Sequence, residues 1–177
     1  MRIAILASGE GTNAENIIKY FNKKHDFLII TNNKKSGVLN KAKDLNVDTI
    51  IIDDINGLLL ILKYNSIDFI ILAGFLKLIP SNVIDVYKNK IINIHPSLLP
   101  KYGGEGMWGM NVHKEVIRNK EIESGITIHY VTKNYDEGQI IEQHKCEVLL
   151  CDTPEILAKK ISLLEREYFP KCIEKLM

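Results

Sequence analysis

Short apolar, β-branched runs recur along this chain, and most are followed by a stretch of helical spacing. The strand-like runs are Arg2–Ser8, Phe27–Thr31, Thr49–Ile52, Phe69–Ala73 and the run that opens at Ile91. Between them, Thr12–Lys24 carries Ile17, Ile18 and Phe21 on one helical face, and Leu39–Leu45 and Leu58–Tyr64 read as further helices. Pro80 sits where a helix begins, predicting helix over Ser81–Tyr87. Strands this short and this apolar need cover on both faces, which a parallel sheet with crossover helices supplies. Later the pattern changes. A helix over Asn111–Asn119 precedes two strands, Ile126–Val131 and Gln139–Val148, joined through Asp136-Glu137-Gly138. Thr153 is a good N-cap, with Pro154 at the first helical position of a long last helix. The fold class predicted is α/β, a mostly parallel, doubly wound sheet flanked by helices with an antiparallel addition near the C-terminus. At 177 residues, without linker-like stretches or repeats, 1–177 reads as one domain.

Composition narrows the partners. A net charge of +1 and the lack of any basic run give no field for a polyanion, so nucleic acid is not expected as a partner. Apolar runs such as Phe69–Ala73 are far too short to span a bilayer, and residues 1–8 lack signal-peptide architecture. Cys146, Cys151 and Cys172 are odd in number and lack CxxC spacing, which reads as reduced thiols with no metal role. The expectation is a cytoplasmic protein acting on small molecules.

Four segments carry candidate chemistry. In Ile91–Pro100, Asn93 and His95 interrupt an apolar strand two residues apart, so both project from one side. Pro96 and Pro100 end the pairing. An amide and an imidazole aimed at one point suit a carbonyl oxygen gaining charge; the bland alternative is that both satisfy nearby backbone groups. In Ala7-Ser8-Gly9-Glu10-Gly11-Thr12-Asn13, two glycines lie between a strand and a helix start that offers free N–H groups to an anion. It is neither a full dinucleotide fingerprint nor a Walker A loop, and a bare tight turn is the competing reading. Gly11 is read as intolerant of a side chain, because a Cβ would fill phosphate space or strain the backbone. Ala73-Gly74-Phe75-Leu76-Lys77-Leu78-Ile79 could wall a flat aromatic ligand or simply pack in the core. Asp136 sits at a hairpin-like turn, either as a turn former or as an acid serving His95, and His129 could support that turn.

Taken together and in order, Ser8–Asn13, Ala73–Leu76, Asn93–Pro100 and Asp136–Gly138 resemble the phosphoribosylglycinamide formyltransferases of the folate-dependent formyltransferase family, over essentially the whole chain. The resemblance implies a Rossmann-like formyltransferase fold that uses 10-formyltetrahydrofolate as formyl donor and glycinamide ribonucleotide as acceptor in purine synthesis, with no metal. It implies that Gly11, Thr12 and Asn13 hold the ribonucleotide phosphate and that Glu165 contacts the ribose hydroxyls. Phe75, Leu76, Lys77, Leu78, Ile79, Asn93 and the 133–137 loop then border the folate, and Asn93, His95 and Asp136 are the catalytic residues. By this resemblance the substrate amine attacks the formyl carbon directly. Asn93 and a protonated His95 stabilise the oxyanion, while Asp136 favours the imidazolium and moves a proton through water.

The chain departs from the better-known members in three places. The 53–66 segment contains no arginine, with Lys63 its one cation; the Gly103–Gly109 loop differs from the common form; and the sequence stops at Met177. Three alternatives compete with this resemblance. A methionyl-tRNA formyltransferase would call for a further domain and a cationic surface. A formyltetrahydrofolate deformylase would call for an N-terminal regulatory domain, whereas here the sheet begins at residue 2. A non-catalytic nucleotide-binding module leaves the combination of Asn93, His95 and Asp136 without a purpose.

Overall fold

In the computed structural model, which describes residues 1–177, the backbone divides into two compact units, Met1–Asn93 and Ile94–Met177. In the first unit, β1 (Arg2–Leu6) is the spine. Ile3 to Ala7 are fully buried, as a strand covered on both faces requires. Parallel to it run β2 (Asp26–Thr31) on one side and β4 (Phe69–Leu72) on the other. Beyond β2 lies β3 (Asp48–Ile51), and β5 (Ile91–His95) pairs with β4 through Ile91, Ile92 and Asn93. The order β3-β2-β1-β4-β5 reverses direction at β1, the position where doubly wound sheets open a crevice for ligands.

Helices α1 (Thr12–Phe21), α2 (Val38–Asp44), α3 (Leu58–Tyr64) and α4 (Ser81–Val86) connect these strands. Helix α1 buries Ala14, Ile17, Ile18 and Phe21, and stops three residues before the predicted end. Asn22 and Lys23 take left-handed backbone angles, and Asn22 N–H returns to the Ile18 carbonyl, closing the C-terminus. A short 3₁₀ turn over Ile55–Gly57, started by the Asp54 side chain accepting from Asn56 N–H, was not predicted. Its signal is one Asx turn, which sequence spacing does not separate from an ordinary loop.

In the second unit, α5 (Met110–Arg118) precedes an antiparallel pair, β6 (Glu123–Tyr130) and β7 (Ile140–Glu147). Strand β6 begins three residues before the predicted Ile126, because pairing of Glu123 and Ser124 with Glu147 and Cys146 outweighs the poor strand preference of Ser124 and Gly125. Helix α6 (Pro154–Leu176) opens as predicted, with Thr153 Oγ1 accepting from Ile156 N–H at 3.3 Å. It buries Leu157, Ile161, Phe169, Cys172 and Ile173 and runs through Pro170 without ending. The fold class is α/β, Rossmann-like, a mostly parallel sheet flanked by helices with antiparallel pairing near the C-terminus. No helix is long and apolar enough to cross a membrane.

Candidate active site

Within the first unit the Gly loop is built by backbone necessity. Gly11 has φ 72°, in the left-handed region, and its carbonyl accepts the first helical bond of α1 from Glu15 N–H. As the N-cap it has no side-chain acceptor, so α1's first N–H groups are not capped from that position. A Cβ on Gly11 would come within 2.3 Å of Val38 Cγ2 and 2.8 Å of Val38 Cα. The obstacle is therefore helix α2 together with backbone strain, which selects the strain half of the sequence reading and leaves the phosphate half aside. Gly9 is different, for a Cβ there would meet nothing within 4 Å. The loop is tied down by Ser36 Oγ–H and Val38 N–H, both donating to the Gly9 carbonyl. Thr12 and Asn13 follow in the first turn of α1.

The Ala73–Ile79 segment lies against the same loop. Ser8 N–H donates to the Gly74 carbonyl, and Leu76 N–H donates to Ser8 Oγ at 3.1 Å. Its side chains divide by role. Phe75 and Ile79 are buried, whereas Leu76, Lys77 and Leu78 are exposed. A flat ligand would meet Leu76 and Leu78, with Phe75 and Ile79 shaping that surface from behind.

Asn93 and His95 stand two residues apart in β5, Asn93 half-buried and His95 buried. The surroundings of His95 in the second unit show how an imidazole is held. Its Nε2–H donates to the Tyr102 carbonyl at 2.7 Å, and its Nδ1 lies 3.4 Å from Asp136 Oδ2. Asp136 comes from the β6–β7 connection with φ 56°, a turn conformation that aspartate tolerates. Gly138 closes this turn. A Cβ there would fall 1.6 Å from the Tyr130 carbonyl oxygen, so no other residue fits without moving the backbone. The Asp136 carboxylate also accepts from Gly104 N–H at 3.0 Å and lies 3.5 Å from His129 Nε2. His129 is fixed from its other nitrogen, Nδ1–H donating to the Tyr130 carbonyl at 2.9 Å.

Electrostatics set the resting protonation of the pair. Burial alone would raise the Asp136 carboxyl, yet the His129 contact, the neighbouring His95 and the Gly104 N–H together hold it below the usual range. For His95 the balance runs the other way. Desolvation pulls its pKa below the ordinary value, against the raising influence of Asp136 and the Tyr102 carbonyl. The resting pair is thus an Asp136 carboxylate facing a neutral His95 that carries its proton on Nε2. The imidazolium expected to act on the oxyanion is reached by taking a proton on Nδ1, between the ring and Asp136.

The structure thus brings together His95, Asp136 and His129, which the sequence offered as a support for that turn, and, from outside the predicted set, Tyr102 and Gly104. Tyr102 and Gly104 act through main-chain atoms, which leave no mark in a sequence. Glu165 lies on α6. No group of three or more His, Cys, Asp or Glu side chains is placed to hold a metal ion.

The formyl transferase family matches residues 57–173, a span that contains Asn93, His95 and Asp136. The chain belongs to the formyl transferase family. This formyl transferase is 36% identical over 99% of its length to the phosphoribosylglycinamide formyltransferase of Vigna unguiculata and covers 60% of that relative. It is 32% identical over 97% of its length to the chloroplastic phosphoribosylglycinamide formyltransferase of Arabidopsis thaliana, of which it covers 64%. The chain therefore spans about three fifths of the length of these curated relatives. Among solved structures it is similar to phosphoribosylglycinamide formyltransferase from Bacillus halodurans. That match has a TM-score of 0.91 and 33% identity, and covers 99% of this chain and 95% of that one.

Proposed function

We propose that this formyl transferase moves the formyl group from N10 of 10-formyltetrahydrofolate to the primary amine of glycinamide ribonucleotide, a step of purine synthesis. The observation that carries the reading is the buried His95, two residues beyond Asn93 in one strand, with its Nδ1 3.4 Å from Oδ2 of the half-buried Asp136. The similar proteins described above are named for the same acceptor, which supports the reading.

In this reading the amine attacks the formyl carbon and the carbonyl oxygen becomes an oxyanion. The Asn93 amide donates to it, an interaction typically worth about 3 kcal/mol when aimed at the transition state. His95 takes the attacking amine's proton on Nδ1, through water, as charge develops, and the imidazolium so formed is compensated by Asp136 on one side and the Tyr102 carbonyl on the other. The pair then relays the attacking amine's proton, through water, to the leaving N10. Gly11, Thr12 and Asn13 take the ribonucleotide phosphate at the start of α1, where N–H groups and the helix dipole favour an anion. Glu165 contacts the ribose hydroxyls. Phe75 to Ile79, Asn93 and the 133–137 loop border the folate. Residues 1–177 act as one formyltransferase domain on small molecules in the cytoplasm, without nucleic acid, membrane or metal.

The test is an assay of the purified protein for conversion of 10-formyltetrahydrofolate to tetrahydrofolate with and without glycinamide ribonucleotide. Strong stimulation by the ribonucleotide supports transfer. Equal conversion without it makes the chain a hydrolase, and no conversion in either case removes the catalytic reading.

A further inference from the structure

Tyr102 is a bulky residue with φ 58°, a left-handed conformation that such residues rarely adopt. Strain of this kind persists only where surrounding contacts impose it, and an observed outlier is a reason to ask what it positions. Here it turns the Tyr102 carbonyl onto His95 Nε2 at 2.7 Å. The backbone on either side is held by Ser97 Oγ–H on the Lys101 carbonyl at 2.6 Å and by Gly104 N–H on Asp136 at 3.0 Å, which leaves the side chain as the remaining constraint. The Tyr102 ring is only half-buried and borders an open cavity of about 260 Å³, lined also by Leu98, Leu99, Lys101, Glu121 and Lys145. What fixes the ring is its hydroxyl, which donates to Glu121 Oε1 at 2.9 Å and also bonds the Asn119 side chain. Glu121 is held in turn by Lys101, whose Nζ reaches both carboxylate oxygens at 2.9 and 3.1 Å. Lys101 directly precedes Tyr102, so its ion pair with Glu121 spans the same peptide.

We infer that Glu121 and the Tyr102 hydroxyl form a clamp that holds the strained Tyr102 carbonyl on His95, fixing the ring proton on Nε2 and leaving Nδ1 to Asp136. The clamp rests on the formyl-transfer reading for its catalytic meaning, but the tautomer it sets is a property of the chain itself. Neutral imidazole has one donor and one acceptor nitrogen, and which is which follows from the partner each finds. A carbonyl can only accept, so an Nε2 bonded to Tyr102 at 2.7 Å must carry the hydrogen, while Asp136, also an acceptor, competes for it from the longer 3.4 Å contact at Nδ1. The charges agree with this direction of donation. Lys101 and Tyr102 hold the Glu121 carboxyl below its usual range, and burial, then the Glu121 bond and charge, push the Tyr102 phenol up to about 12, so it stays a donor throughout the neutral range. The other titratable groups facing His95 are Asp136, His129 and, from α5, the buried His113. Neither Glu121 nor the Tyr102 hydroxyl touches the ring; both are positioning groups.

The decisive measurement is the ¹⁵N spectrum of the His95 ring above its titration range. The wild-type protein is expected to show Nε2 as the protonated, pyrrole-type nitrogen and Nδ1 as the bare one. Tyr102→Phe and Glu121→Ala should each lower the ratio of the Nε2–H to the Nδ1–H tautomer by roughly fivefold, the worth of one ordinary hydrogen bond. In both variants kcat should fall by a similar factor while KM for each substrate stays put. Glu121→Gln should keep the wild-type tautomer, since its amide oxygen still accepts from the phenol. A ring protonated on Nδ1 in the wild type, a result that needs no variant to fold, overturns the clamp. So does an unchanged tautomer ratio in folded Tyr102→Phe and Glu121→Ala. If the tautomer moves as stated while glycinamide ribonucleotide fails to stimulate turnover, the clamp stands and formyl transfer falls.

Discussion

At His95 burial and charge pull in opposite directions, and burial prevails in the resting protein. An imidazole poised in this way charges readily only when the reaction supplies negative charge beside it, which suits a group acting on a transition state. His95→Ala and Asn93→Ala should therefore each lower kcat on the order of 100-fold, with smaller effects on KM. Near-wild-type turnover in either folded variant would remove both residues from the chemistry. Asp136→Asn is the finer probe, because asparagine also tolerates the left-handed backbone at this position. Deleting the anion removes an influence that raises His95, so the ring deprotonates at lower pH. Any limb of kcat that follows the ring should move to lower pH, and turnover should drop at least ~100-fold. Superimposable profiles from wild type and variant would return Asp136 to the status of a turn former. The candidate residues Asn93, His95 and Asp136 were legible because polar side chains that interrupt apolar or turn patterns stand out. Tyr102 and Gly104 were not, since a tyrosine beside a Gly-rich loop carries no sign that its carbonyl will face a histidine.

Elements were legible where periodicity was strong and less so at their ends. Helix α3 has the bounds that its spacing predicts, while α1 stops early where Asn22 offers a left-handed exit. Strand β6 starts early because its partner strand, not its own composition, defines it. The contact between α1 and α2 at Gly11 is a further case. Nothing in the Gly loop announces Val38, 27 positions onward, as the atom set that forbids a side chain. Gly11→Ala should lower stability by about 2 kcal/mol, combining left-handed strain with overpacking, as read from urea unfolding. Val38→Ala added to it should recover only part of the loss, because the Val38 Cα at 2.8 Å remains in the way. A Gly11→Ala protein as stable as wild type would mean that the two helices part at no cost.

At the scale of the molecule, three histidines titrate below their ordinary value, each first because burial disfavours the charged form: His25, His95 and His113. Each binds its proton more readily in the unfolded chain, whose histidines titrate near 6.5. Stability is therefore full above that value and declines as pH falls from about 6.5 toward the lower folded pKa. Asp136 adds a loss at still lower pH, as its depressed carboxyl is forced to protonate. Melting temperature should fall between pH 7.5 and 5.5, and His113→Leu, which removes a buried ring whose Nδ1 has no partner, should flatten that fall. An unchanged pH slope in His113→Leu would show that this ring does not contribute. The β-α alternation made the fold class legible from sequence, since short strands buried on both faces leave few other arrangements.

The loop from Tyr102 to Gly109 serves the His95–Asp136 pair through one carbonyl and one N–H. Such groups are common to nearly all amino acids, so, apart from Tyr102 with its clamping hydroxyl and the positive-φ glycines such as Gly104 and Gly106, selection acting here reads the path of the backbone more than the identity of its side chains. The spelling of this loop can drift among relatives while the atoms it delivers stay in place. Divergence at the loop's remaining positions, which looks in an alignment like the loss of a feature, is what a site held by main chain permits.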